Sequence, residues 1–208
     1  MKNMQAALDF RELFLIQHAR AHTAEVGGAD LSVQDNILRD LTDDQIRSSP
    51  QPGFNSLAWL IWHMTRTEDF GANFILAGRP QVFAEGGWAA KMNILHRYLG
   101  SGMTEQEVAE FNQRINVPAL IAYRAAVGRR TQEILRVLSP EVLGEVIDVH
   151  LIQRMRDAGA FGPHAEWVTA RWQGKQKAFI LTHTVLGHAF LHWGQGEIVR
   201  GLLGFPSL

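Results

Sequence analysis

Two histidines four residues apart stand near the end of this chain, in the run "GHAFLHWGQGEIVRG" from residue 187 to 201. At about 100° per residue, His188 and His192 share one helical face with Leu181, Val185, Gln195 and Val199. Their Cβ atoms then lie about 6 Å apart, close enough for two neutral imidazoles to grip one divalent ion. The same count puts Phe190, Trp193, Glu197 and His183 on the far side. A pair of this kind is as compatible with two structural histidines, each hydrogen-bonded in the core, as with a metal. A metal needs a third ligand from elsewhere. His63, in "SLAWLIWHMTRTED", lies off the main apolar stripe of its helix, on a second one with Trp59, Phe70 and Phe74. A helix apolar on two sides is buried against more than one neighbour.

Those residues need helices to hold them at one depth. Four long helical patterns run from about Met4 to Val26, Ser56 to Ala77, Pro118 to Leu138 and Gln176 to Leu203. Gly27-Gly28, Gly78-x-Pro80 and Ser139-Pro140 punctuate them. Strand alternation and internal repeats are lacking, so the fold class is all-α and the simplest architecture is a four-helix bundle. The long segment between the second and third helices is far longer than a tight turn. It can return along the bundle as a crossover, which gives an up-down-down-up order with the second and fourth helices antiparallel. His63 then lies about 12 Å from the start of its helix, and His192 about 13 Å from the far end of the other, at about 1.5 Å per residue. The depths match. Residues 79–116 and 140–173 are left as short helices and loops.

Composition narrows the classes of function. The chain has 208 residues and a formal charge of −1, so a single domain over 1–208 is expected and nothing points to nucleic acid. The chain contains no cysteine, which removes disulfides, thiolate ligands and cysteine nucleophiles and fits a reducing cytoplasm. A membrane-spanning apolar run is lacking. Of the nine histidines, His18 and His22 share a broad face with Phe14 and could line the same cavity, although packing or capping explains them as well. His96, His150 and His164 read as surface residues. Other metal scaffolds fit poorly. Ala189 stands where a zincin carries Glu, and Glu-x-x-His does not occur.

With these motifs in hand, "SLAWLIWHMTRTED" followed by "GHAFLHWGQGEIVRG" resembles the DinB/YfiT-like superfamily of metal-dependent bundle proteins. "RELFLIQHARAHT" and "NVPALIAYRAAVGRRTQEIL" resemble that family's first and third helices. The resemblance implies a divalent metal held by His63, His188 and His192, with Gly194-Gln195 following the pair. It also implies an up-down-down-up bundle, a homodimer, and relatives that transfer or isomerise small molecules with a low-molecular-weight thiol. Three imidazoles leave coordination positions open, as catalytic sites do. Zinc or nickel suits such a site, and iron or manganese can also occupy it. The expected function is that of a metal-dependent enzyme on a small-molecule substrate, such as a thiol S-transferase. A metal-dependent hydrolase and a non-catalytic stress-response protein stay open beside it. Gln195 and Arg66 are pocket candidates, the latter for an anionic substrate. The dimer expectation also rests on Trp62, Phe190 and Trp193, aromatic residues away from the main stripes. Proton competition for the ligands is expected below about pH 6.

Overall fold

The computed structural model describes residues 9–28 and 32–206. They are helical, without a strand among them; a lone bridge joins Val146 to Gln176. The first half holds α1 (Phe10–Ala21), α2 (Ala24–Gly27), α3 (Val33–Leu38), α4 (Asp43–Arg47) and α5 (Leu57–Asp69), which runs on into a π-helical segment, Phe70–Leu76. The connector carries α6 (Val82–Glu85), α7 (Trp88–Lys91) and α8 (Glu105–Arg114), and leads to α9 (Val117–Val137). Then follow α10 (Pro140–Gly144), α11 (Val149–Asp157) and α12 (Trp167–Trp172). A second π segment, Ile180–Gly187, leads directly into α13 (His188–Leu202). No helix of the described residues is long and apolar enough to cross a membrane.

Local chemistry sets the boundaries. Asp9 and Glu12 form a capping box at the start of α1. The first helical pattern does not run unbroken to Val26, because His22 and Thr23 turn extended and separate α1 from α2. The carbonyl of Ala21, freed at that break, accepts from Arg124 Nη2 and Trp193 Nε1, each at 2.8 Å. Residues 4–8 of that first pattern lie outside the described residues. Ser56 Oγ caps α5, and every residue from Leu57 to Asp69 is buried. That helix packs against α9, α13, α4 and α8, which accounts for its two apolar sides.

Two apolar cores result. One joins Leu57, Leu60 and Ile61 of α5 to Leu120 and Val127 of α9 and Val199 of α13. The other joins Phe70 and Ile75 to Leu151, Ile152, Ile180 and Val185. The two π segments meet there. A side chain at Gly71 would put its Cβ 2.9 Å from Ile180 Cγ2, so only glycine allows that approach.

Buried polar groups tie the connector to α5. Asp69 accepts from the backbone N–H groups of Val82 and Phe83, both at 2.9 Å, and from Tyr123 Oη at 2.6 Å. Arg66 donates to Gln81 Oε1 and to the Arg97 carbonyl, each at 2.8 Å, and its guanidinium covers the Phe83 ring. Arg66, a pocket candidate from the sequence, is therefore 2% exposed and committed to holding the connector. The expected aromatic patch is corrected too. Trp62 is packed on Phe111 and Trp193 lies in the first core, both buried, while Phe190 is half-buried against that core.

Candidate metal centre

The α5 histidine and the α13 pair come together. His63, His188 and His192 offer one ligand nitrogen each within a 4.8 Å group. The Nε2 atoms of His188 and His192 are 3.0 Å apart. The His63 ring lies 4.8 Å from that of His188 and 5.0 Å from that of His192, centroid to centroid. Tetrahedral ligands at about 2.0–2.1 Å from zinc are separated by roughly 3.3 Å, so this spacing suits one ion.

The outer nitrogens decide which tautomers are present. His63 donates from Nδ1 to the Leu99 carbonyl, and its ring stacks on Trp59. His192 donates from Nδ1 to Gln195 Oε1 at 2.7 Å. In both, the lone pair is left on Nε2, facing the other rings, which is the arrangement that orients a metal-ligating imidazole. Leu99 and Gly100 come from the connector, and Gly100 has a φ of +91° with its Cβ position 2.5 Å from the Trp62 ring. The connector therefore reaches His63 only through a glycine turn.

Burial keeps all three rings neutral. His63 is pushed down to about 4, first by loss of water, then by His192, against the opposing bond to Leu99. His188 is pushed down to about 2, by burial and then by His63, His192, His183 and Arg171. His192 is lowered as well, by burial. The expectation of proton competition below about pH 6 is thus displaced to more acid pH, because the native rings resist protonation there.

The triad opens on a cavity of about 240 Å³. Its other walls include Thr67, Leu99 and Ser101, then Trp167, Arg171 and Trp172 of α12, and His183, Thr184 and Leu191. His183 corrects the helical-wheel reading. The π segment winds with i→i+5 bonds, so a residue five before His188 is not carried to the far face. Nothing in the sequence between residues 140 and 173 has the periodicity that would have revealed the α12 wall. A larger surface hollow, about 820 Å³ between residues 47–55 and α8, holds none of the histidines.

His18 and His22 do not reach this cavity. Their Nε2 atoms donate to Glu68, at 2.8 and 2.9 Å, in a fully buried cluster. Those three side chains could also surround an ion. Arg124 Nη1 lies 4.0 Å from the same carboxylate, however, and already supplies its positive charge. We read the cluster as an ion-pair network. Of the histidines expected at the surface, His150 and His164 are exposed and His96 is half-buried near Glu107.

A family model described as the DinB superfamily matches residues 31–195. No curated protein matches this chain. Among solved structures, the crystal structure of a conserved protein from Enterococcus faecalis is similar to it, with a TM-score of 0.69. The alignment covers 95% of this chain and 98% of that one at 20% sequence identity, so the likeness concerns the fold alone.

Proposed function

The chain belongs to the DinB superfamily, and from that premise we propose that His63, His188 and His192 bind one divalent metal ion at the floor of a small-molecule cavity. The observation that carries this reading is the convergence of three neutral imidazoles, two of them held at Nδ1 by oxygen acceptors. When bound, the ion supplies a Lewis acid that favours the deprotonated form of a thiol or water beside it. The rest is done by the chain. Leu99 and Gln195 orient two of the ligands. Leu99, Val168, Trp172 and Leu191 present apolar surface to whatever enters. Thr67 Oγ1 donates to the His63 carbonyl at 2.7 Å and steadies the ligand helix.

Contact between the triad and a cavity favours turnover over a sealed structural role. The group contains three His, Asp or Glu ligands among the described residues, which supports open coordination. The reaction we favour is S-transfer from a low-molecular-weight thiol, with zinc or nickel as the metal. The absence of cysteine leaves a thiol to be a cosubstrate, and a reducing cytoplasm would supply one. The test is a cobalt-substituted protein titrated with several biological thiols. A thiolate-to-cobalt charge-transfer band is expected with at least one of them, and not in His192→Ala. A spectrum that no thiol perturbs would transfer the assignment to a hydrolase or a non-catalytic metal protein.

Two coarser features go with this reading. We take α1, α5, α9 and α13 as an up-down-down-up four-helix bundle, supported by the packing of α5 on α9 and α13 and of α1 on the latter two. A homodimer would use a different surface from the one expected. Leu191, Ile198 and Leu202 are exposed along one side of α13. Light scattering at micromolar concentration should return twice the monomer mass, and a monomer alone rejects it.

A further inference from the structure

The lining of the triad cavity is lopsided in charge. It contains four histidines and one arginine but, among the described residues, neither aspartate nor glutamate. The other arginines that approach a carboxylate, such as Arg130 with Glu85 and Arg156 with Glu166, are answered by it. Arg171 has no carboxylate partner among the described residues. Its guanidinium lies 5.4 Å from the centre of the Trp167 ring, on the same short helix. Thr184 borders the same cavity, but it is buried and its hydroxyl is closed off from solvent.

Shape adds a second restriction. A cavity of about 240 Å³ equals about eight water molecules at roughly 30 Å³ each. Trp167, Trp172, Val168, Leu99 and Leu191 give it flat or branched apolar walls. Trp167 is 55% exposed, so part of its ring faces solvent.

We propose that this cavity carries an anion subsite, formed by Arg171 and His183, and that its ligand is a small carboxylate with a flat apolar body. The carboxylate accepts from the Arg171 guanidinium, with His183 beside it, while the body lies against the tryptophans. Charge-assisted bonds of this kind are stronger than neutral ones, although the exposure of Arg171 lets water screen them. The proposal deepens the metal-centre reading by naming the substrate class of the same cavity, but the subsite is built from other residues and can be tested without metal.

The experiment is calorimetric titration of chelator-treated full-length protein with benzoate, and with benzamide as its neutral isostere. Benzoate should bind at least about tenfold more tightly than benzamide. Arg171→Gln should abolish that preference, Arg171→Lys should keep part of it, and Arg130→Gln, outside the cavity, should leave it in place. Absence of saturable benzoate binding, equal affinities for the two compounds, or an undiminished preference in Arg171→Gln would each overturn the proposal. Metal content of His63→Ala is measured separately, so loss of the metal reading and loss of the anion subsite are told apart.

Discussion

Replacing His188 with alanine is expected to strip the protein of most of its metal. His63→Ala and His192→Ala should do the same, while His183→Ala, which changes only the cavity wall, should not. Loss of an outer-shell partner already costs about 10–100-fold in affinity, and loss of a ligand costs at least as much. Gln195→Ala falls in that outer class, since it frees only the Nδ1 side of His192. The measurement is elemental analysis after gel filtration in metal-free buffer. Full occupancy in His188→Ala would sink the triad. Metal should also be retained to lower pH than for free imidazole, because His63 is protonated only near about 4 and His188 near about 2.

Glu68→Ala is expected to be the most destabilising change in the buried network. The carboxylate accepts from two imidazoles and faces Arg124, all of them out of water. Removing one partner of a buried ion pair costs about 3–5 kcal/mol, because the remaining charge stays buried. Arg124 keeps bonds to Gln34 Oε1 at 2.7 Å and to the Ala21 carbonyl, but these do not replace the charge. The pH dependence follows from the same groups. Glu68 is held well below its usual range, against burial, by His22 and His18, so its contribution is complete above about pH 4.5 and is lost only as acid reaches its native value. His22 is pushed down to about 3, by burial first and then by Arg124. Unfolded, it takes a proton near pH 6.5, whereas folded it does not until about pH 3. Stability is therefore lost as pH falls through that window, and His63 acts in the same direction. At pH 5 each such histidine costs about 2 kcal/mol, at about 1.4 kcal/mol per pH unit. Urea unfolding of metal-free protein at pH 7.5 and pH 5 tests this. Equal stabilities at the two pH values would refute the burial argument.

The placement of the three histidines followed from spacing, whereas a ligand role for them came from the resemblance to a bundle family. His188 and His192 needed only the i, i+4 rule, and His63 needed a count of residues from each helix end. The all-helical class followed from the same periodicity. Arg66 was misplaced because a wheel gives angle and not neighbours; Gln81, Arg97 and Tyr123 come from distant sequence. Trp62 and Trp193 were misplaced for a related reason, since Phe111 and the Ala21 carbonyl cover them from other helices. His183 failed on pitch, which no 100° projection can report inside a π segment. The α12 wall was illegible because a six-residue helix is too short to show a period.

The junction at Gly187–His188 separates two kinds of adjustment. Upstream, the wider turn brings His183 and Thr184 to the cavity wall; downstream, ordinary α pitch holds His188, His192 and Gln195 in their rows. The part of the helix that borders the proposed anion subsite and the part that carries two of the proposed metal ligands are thus wound to different gauges. Sequence drift in the first can reshape the cavity wall while the second goes on holding its two imidazoles in place. One continuous helix in this way offers evolution two independent dials.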